Sequence, residues 1–243
     1  MDAVSRVKHS MRAGLTATFA VVVMSLNLAA EAAVPEPGRF AAEVAQFSQH
    51  DELNPWPEGA ILATGSSSMR FWSVNQMLER QMAPLTVINR GFGGSVFNDL
   101  NHYLDRLVLK YRPRAVMIYE GDNDIAFDLS QDSILRSLSA IIAQVHDQNA
   151  QTRFYILSVK PSISRWLLWP AMQQLNEALQ ALCATDTRLV YIDVASPMLG
   201  EDNQPRPDIY VADGLHLNEL GYQVWRDAVR PVLMEGERQF ERR

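Results

Sequence analysis

Four short blocks of this chain combine glycines with residue types that take part in catalysis. They are Gly65-Ser66-Ser67-Ser68, Gly91-Phe92-Gly93-Gly94, Gly121-Asp122-Asn123-Asp124 and Asp213-Gly214-Leu215-His216. A serine hydroxyl can act as a nucleophile, a histidine as its base and a nearby carboxylate as the group that orients the histidine. Backbone and asparagine N–H groups can stabilise an oxyanion. If the fold brings the blocks together, they form the parts of an acyl-transfer site.

The elements between the blocks predict how they are positioned. Short apolar runs predict strands at residues 60–64, 85–89, 115–119, 154–159 and 189–194. Helical patterns lie at residues 39–47, 74–81, 96–110, 132–148, 172–184 and 218–234. This alternation predicts an α/β fold, a five-stranded parallel sheet with helices on both faces. The carboxyl ends of parallel strands share one edge, so the blocks should converge there.

Taken singly, three of the blocks allow other interpretations. A serine after a strand often caps the next helix, and the first block lacks the second glycine of a Gly-x-Ser-x-Gly elbow. The second block lacks the spacing of a dinucleotide-binding loop. The third has too few oxygen ligands for a calcium loop.

The last block contains the best candidate for a catalytic base. His216 follows the final predicted strand and has Asp213 three residues before it. Of the five histidines, the other four lie in the N-terminal leader or in and beside polar helical stretches. The pair at the carboxyl edge of the sheet therefore predicts a base with its orienting acid.

In this order the blocks resemble those of the SGNH hydrolases, the GDSL esterase/lipase family. The resemblance runs from about residue 60 to residue 225 and implies a three-layer flavodoxin-like fold. It also implies a serine esterase that needs neither a cofactor nor a metal. Carried over residue by residue, it implies Ser67 as nucleophile, Asp213 and His216 as its acid–base pair, and the N–H groups of Ser67 and Gly94 with Asn123 as the oxyanion hole.

The first block departs from the family pattern. Where the family has Gly-Asp-Ser, this chain has Gly65-Ser66-Ser67. The choice among three adjacent serines thus depends on the alignment, with Ser67 first and Ser66 second. The triad acid is unaffected, because it comes from the Asp213 block; if Asp213 is not that acid, Asp193 is the next candidate.

The connection after the fourth strand is unusually apolar. Trp166, Leu167, Leu168 and Trp169 follow one another directly after Arg165, whereas connections usually carry polar residues. The tryptophans either pack as core or wall the cleft and bind an apolar part of the substrate. Arg165 is either a solvated surface residue or a partner for an anionic group of the substrate.

The N-terminal 32 residues have the pattern of a signal peptide. Arg6, Lys8 and Arg12 precede an uncharged, mostly apolar stretch over residues 13–28, and Ala30-Glu31-Ala32 suits a cleavage site. This predicts export to the periplasm or the medium and no stable membrane span in the mature form. The alternative is an uncleaved N-terminal anchor. The remaining divisions are a linker and helix at 33–58, the hydrolase domain at 59–236 and a polar tail at 237–243.

Composition limits the partners. The net charge of −6 and the lack of a basic stripe argue against nucleic acid. Cys183 is alone, which excludes a disulfide framework and a cysteine metal site. The predicted partner is a small-molecule, glycan or lipid ester, and no oligomeric state is predicted. The open alternatives to a general esterase are a polysaccharide O-acetyl esterase or deacylase, a lysophospholipase or thioesterase, an acyltransferase, and a non-catalytic binding module.

Overall fold

A five-stranded parallel sheet forms the centre of the protein in the computed structural model, which describes residues 35–241. The strands are β1 (Ile61–Gly65), β2 (Val87–Gly91), β3 (Ala115–Tyr119), β4 (Arg153–Leu157) and β5 (Leu189–Ile192). Their order is β2-β1-β3-β4-β5, and every neighbouring pair is parallel. The predicted α/β fold and its flavodoxin-like topology are confirmed.

Helices cover both faces of the sheet. They are α1 (Ala41–Leu53), α2 (Ser67–Trp72), α3 (Met77–Met82), α4 (Phe97–His102), α5 (Leu104–Leu107), α6 (Asp122–Ala126), α7 (Gln131–Gln148), α8 (Trp169–Cys183) and α9 (Glu219–Glu237). One core lies between the sheet and α1, α4, α5, α7 and α8, and a second lies between the sheet and α2, α3 and α9. The central strands β1 and β3 are buried at every position, as expected for a parallel sheet covered on both faces.

The strand register brings the first three blocks together. Gly65 at the end of β1 pairs with Gly91 at the end of β2 and with Tyr119 at the end of β3. The polypeptide leaves all three strands at one edge, where α2, the loop before α4, and α6 begin. The edge that ligands use in this topology is therefore the edge where the blocks meet.

Several boundaries differ from the sequence-based prediction. The helical pattern at 96–110 divides into α4 and α5, and α2 begins within the serine block, where no helix was predicted. Helix α9 extends to residue 237, the first residue of the predicted polar tail. Glu237 is the last residue of α9, is 0% exposed, and forms ion pairs with Arg114 and Arg153. A polar sequence near a chain end predicts a solvated segment, because its buried ion-pair partners are distant in the sequence.

The predicted signal peptide lies outside the described residues. Within residues 35–241, no helix is both long enough and apolar enough to cross a membrane.

Candidate active site

The serine block makes an abrupt turn from β1 into α2. Gly65 has φ +135°, and a Cβ atom there would lie 1.9 Å from the carbonyl oxygen of Tyr119. Only glycine allows this close approach. The Ser66 N–H donates to the same carbonyl at 3.0 Å, and α2 starts at the next residue, Ser67. The turn therefore places the Ser67 side chain at the carboxyl edge of the sheet.

Ser67, His216 and Asp213 form a hydrogen-bonded chain. The distance from Ser67 Oγ to His216 Nε2 is 2.9 Å, and His216 Nδ1 lies 2.6 Å from Asp213 Oδ2. The other carboxylate oxygen, Oδ1, accepts the N–H groups of Leu215 and His216 at 2.8 and 2.9 Å. Partial burial works to raise the pKa of Asp213, but these hydrogen bonds outweigh it and lower the pKa to about 2. The carboxylate is thus ionised at neutral pH and can orient the imidazole.

The neighbouring candidates are placed elsewhere. The Ser66 hydroxyl is buried and makes no hydrogen bond within the described chain. Ser68 is buried too, and its carbonyl accepts the Tyr222 hydroxyl at 2.8 Å. Asp193 Oδ1 accepts the N–H groups of Ala195 and Ser196, so its carboxylate caps a turn after β5. Of the serines and carboxylates considered, Ser67 and Asp213 are those hydrogen-bonded to His216.

Three N–H donors are available for an oxyanion. Within residues 35–241, neither the Ser67 N–H nor the Gly94 N–H forms a hydrogen bond. Ser67 is the first residue of α2, where backbone N–H groups have no partner inside the helix. Gly94 has φ +77°, a conformation that suits glycine. The Asn123 side-chain amide donates one hydrogen to the Ser95 carbonyl at 2.9 Å, which leaves its second hydrogen for a ligand.

The side-chain oxygen of Asn123 also has a hydrogen-bond partner. Arg165 Nη2 donates to Asn123 Oδ1 at 3.0 Å, and Arg165 Nη1 donates to the Asp122 carbonyl at 3.0 Å. The Asp122 carboxylate lies 3.5 Å from Arg165 and 3.4 Å from Lys160, which is 1% exposed. Burial lowers the pKa of Lys160. These contacts place Arg165 against the predicted oxyanion donor; its predicted contact with substrate stays a prediction.

Sequence reasoning did not identify the role of two carboxylates, Glu120 and Asp124, that bind the loop containing Gly94 and the start of α4. Glu120 is buried and accepts a hydrogen bond from the Ser95 hydroxyl, 2.5 Å away. Asp124 accepts the N–H groups of Phe97 at 3.0 Å and Gly121 at 3.1 Å. Burial raises the pKa of both carboxyl groups, and each pKa is raised further by a neighbouring negative charge. Their position directly after the apolar run of β3 was the available sequence signal.

An apolar cavity of about 410 Å³ lies beside the histidine. It is lined by Phe71, Val74, Met77, Val211, Asp213, His216, Leu217, Asn218, Glu219 and Tyr222. The Phe71 ring meets the imidazole edge-on, with 5.0 Å between ring centroids. The sequence feature that corresponds to this cavity is Phe71-Trp72 after the serine block, and sequence reasoning did not identify it as part of a site.

The two tryptophans of the apolar connection take different positions. Trp169 is 8% exposed and belongs to the core, and Trp166 is partly buried and stacks on it with centroids 5.9 Å apart. For Trp169 the structure agrees with the core alternative. A substrate contact of either tryptophan remains a prediction.

In the described part of the chain, no group of three or more histidine, cysteine or acidic side chains is arranged to hold a metal ion.

A serine, its histidine and carboxylate, and adjacent oxyanion donors at the carboxyl edge of a parallel sheet define a serine hydrolase of the flavodoxin-like type. Residues 62–224 match the model of the GDSL-like lipase/acylhydrolase family, and the chain belongs to that family. It is a hydrolase that acts on ester bonds.

Solved structures share this fold. A candidate platelet activating factor from Streptococcus pneumoniae is 23% identical with a TM-score of 0.70, and the alignment covers 80% of this chain and 93% of that one. A candidate acylhydrolase from Bacteroides fragilis is 20% identical with a TM-score of 0.66, covering 82% and 96%. A GDSL-like lipase from Bacteroides thetaiotaomicron is 19% identical with a TM-score of 0.66, covering 83% and 98%. At these identities the likeness establishes the fold. No curated protein matches the chain.

Proposed function

We propose that this protein is an exported serine esterase that forms an acyl-enzyme on Ser67. The observation that carries the proposal is the hydrogen-bonded chain from Ser67 Oγ through His216 to the ionised Asp213. In this arrangement Nε2 accepts the serine proton while Nδ1–H donates to the carboxylate. The positive N-terminal region and the apolar stretch after it support export.

The reaction has two steps. As Ser67 Oγ attacks the ester carbonyl, His216 takes its proton, and the N–H groups of Ser67, Gly94 and Asn123 stabilise the resulting oxyanion. The tetrahedral intermediate expels the alcohol, which receives the proton from His216. A water molecule then attacks the acyl-enzyme with His216 again as base. The acid leaves, and the proton returns to Ser67.

The cavity beside His216 supports an ester with an apolar group. Most of its lining side chains are apolar, and Phe71 and Val74 come from the segment that follows the nucleophile. An apolar chain in this cavity would be removed from water, which stabilises its bound state by about 0.8 kcal/mol for each CH₂ group. We therefore favour an ester with a short or medium aliphatic chain over an O-acetylated glycan.

A series of p-nitrophenyl esters from acetate to decanoate tests this function. We expect Ser67→Ala to abolish turnover and labelling by a serine-directed phosphonate, whereas Ser66→Ala keeps substantial activity as the matched control. Phe71→Ala should raise KM for butyrate and longer esters more than for acetate. Loss of turnover in Ser66→Ala with an active Ser67→Ala would move the nucleophile by one residue and contradict the proposal.

A further inference from the structure

A second cavity, of about 500 Å³, lies between α3 and α9. It is lined by Arg80, Gln81, Arg226, Asp227, Arg230 and Pro231. Half of these side chains are arginines, although the net charge of the chain is −6. We call this space the arginine cavity. Guanidinium groups gathered around a cavity suit an anionic ligand, because each can donate two hydrogen bonds to a carboxylate or a phosphate.

Two of the three guanidinium groups have no acidic partner. Arg80 Nη1 donates to the Asn75 carbonyl. Arg230 donates to the carbonyls of Gln81 at 3.1 Å and Ala83 at 2.9 Å. Within residues 35–241, neither arginine forms an ion pair with a carboxylate. Carbonyl groups orient these arginines without cancelling their charge.

The third arginine is neutralised locally. Arg226 Nη2 lies 2.7 Å from the Asp227 carboxylate, its neighbour in the sequence. The lining of the arginine cavity therefore carries three positive charges and one negative charge.

The arginine cavity and the apolar cavity beside His216 lie between the same two elements. Met77, the first residue of α3, and Tyr222, in the first turn of α9, line the apolar cavity. Arg80 follows Met77 by three residues, and Arg226 follows Tyr222 by four, and both line the arginine cavity. Residues three or four apart lie on one face of a helix. The two cavities are thus successive parts of one groove.

Side-chain contacts connect the two parts of the groove. The Trp72 indole N–H donates to Gln81 Oε1, in the arginine cavity, at 2.8 Å. The same indole stacks on Tyr222, in the apolar cavity, with 5.8 Å between ring centroids. One buried tryptophan therefore lies against both cavities, which makes them direct neighbours.

The Arg80 side chain lies where the two parts of the groove meet. Its acceptor, the Asn75 carbonyl, belongs to the residue directly after Val74, which lines the apolar cavity. Asn75 and Gln76 have φ of 54° and 57°, a left-handed conformation that is uncommon for residues other than glycine. The bond from Arg80 stabilises this turn and keeps the guanidinium beside the apolar cavity.

The two ends of the groove differ in charge. Asp213 and Glu219 are among the residues that line the end beside His216, whereas arginines surround the other end. An anion would be repelled at the first end and attracted at the second. Arg226 follows Glu219 by seven residues, which corresponds to about 10 Å along α9 at a rise of about 1.5 Å per residue.

We propose that the arginine cavity binds an anionic group at the far end of the substrate's acyl chain. The ester carbonyl lies at Ser67, the apolar part of the chain fills the cavity beside His216, and the anion pairs with Arg80 and Arg230. This inference rests on the proposed esterase function and adds to it that the preferred acyl group carries a negative charge, on the order of 10 Å from the ester.

Half-esters of dicarboxylic acids are the probes. Mono-p-nitrophenyl sebacate differs from p-nitrophenyl decanoate only in a carboxylate that replaces the terminal methyl group, so the ratio of their kcat/KM values isolates the effect of the anion. Arg80→Gln and Arg230→Gln should each lower this ratio about fivefold or more, with the decanoate value within about twofold of wild type. Asp227→Asn should raise the ratio, because it removes the negative charge from the cavity. Arg136→Gln, exposed on α7 at the other face of the sheet, is the matched control and should not change it.

Chain length distinguishes a binding site from general attraction. Mono-p-nitrophenyl adipate and p-nitrophenyl hexanoate form the short pair, whose carboxylate does not reach the arginines. The ratio for the short pair should be the same in wild type and Arg230→Gln. An equal fall in the ratios of both pairs would show that the arginines attract any anionic ester through the solvent, and would overturn the proposed site.

The outcomes separate this proposal from the function on which it rests. A wild-type chain without activity on p-nitrophenyl acetate or decanoate would overturn the esterase function itself. An active chain whose sebacate-to-decanoate ratio is the same in Arg230→Gln and Arg136→Gln would overturn the anion site alone. If Arg80→Gln lowers the rates on both esters equally, the turn at Asn75 has shifted, and the ratio in Arg230→Gln decides.

Discussion

The Asn123 side chain is held at both ends, which suits a donor that must be in place before charge develops. Its amide nitrogen bonds the Ser95 carbonyl, and its oxygen accepts a hydrogen bond from Arg165. A cation on the amide oxygen draws electron density from the nitrogen and makes the remaining N–H a better donor. In the proposed mechanism, Arg165 would act through Asn123 as a positioning residue.

Arg165→Met should lower kcat about tenfold and change KM by less than twofold. A charge-assisted hydrogen bond is worth about 1.5–3 kcal/mol, and tenfold in rate corresponds to about 1.4 kcal/mol. The measurement is steady-state kinetics on p-nitrophenyl acetate in the wild-type and Asn123→Ala backgrounds. Asn123→Ala itself should reduce kcat by roughly 10²–10³. In the Asn123→Ala background, Arg165→Met should lower kcat almost no further.

Two controls accompany this cycle. Arg165→Lys should recover part of the lost kcat, because it keeps the charge without the planar pair of donors. If Arg165→Met instead raises KM for esters with a carboxylate and leaves kcat unchanged, the arginine is a partner for an anionic group of the substrate.

At the scale of elements, the connection from β3 into α6 stabilises the loop that contains Gly94. Glu120 follows β3 and accepts a hydrogen bond from the Ser95 hydroxyl, and Asp124 in α6 accepts the N–H of Phe97 at the start of α4. Gly94 and Asn123, the two proposed oxyanion donors, thus lie on segments that are joined through buried carboxyl groups. Burial raises the pKa of Glu120 well above its ordinary value, and the charge of Asp124 raises it further.

Glu120→Gln should reduce the dependence of stability on pH. Because the pKa of Glu120 is higher in the folded state, that state binds more protons above pH 4.5, so its stability falls as pH rises. Glutamine keeps the size and cannot ionise. Urea unfolding at pH 5 and pH 8 should show a smaller loss of free energy in the variant, with some loss remaining through Asp124. The exposed Glu235→Gln serves as the control, and an identical loss in both variants would show that Glu120 is already ionised when folded.

At the scale of the whole molecule, α9 connects the site to the opposite edge of the sheet. It begins three residues after His216 and ends at Glu237. The buried Glu237 carboxylate accepts hydrogen bonds from Arg114, Arg153 and Tyr155, at or near the amino ends of β3 and β4. One helix thus spans the sheet and is held at its far end by an ionic network.

Glu237→Ala should destabilise the fold by about 3 kcal/mol or more. Removing one partner of a buried ion pair leaves the remaining charges and a buried hydroxyl without their acceptor. Urea unfolding measures the loss, and Glu235→Ala, exposed on the same helix, should change stability by less than about 0.5 kcal/mol. At low temperature the folded fraction of Glu237→Ala should keep its kcat, since the residue is far from Ser67 along the sheet. Equal stability of the two variants would contradict this role of Glu237.

The amino-acid sequence by itself determined the α/β class, the boundaries of β3 and the blocks that converge at one edge. These features are local: apolar runs of strand length, glycines at turns, and a short spacing between Asp213 and His216 that keeps the two side chains in reach of each other. The direction of parallel strands then required the blocks to meet, whatever packed around them.

Only the tertiary structure decided which partners the other side chains find. Arg165 lies 42 residues from Asn123, and Glu237 lies 84 residues from Arg153, so no sequence period relates them. Local propensity and periodicity extend over a few residues, whereas these contacts depend on how whole elements pack. The four blocks could therefore be predicted from local pattern, and the contacts around them could not.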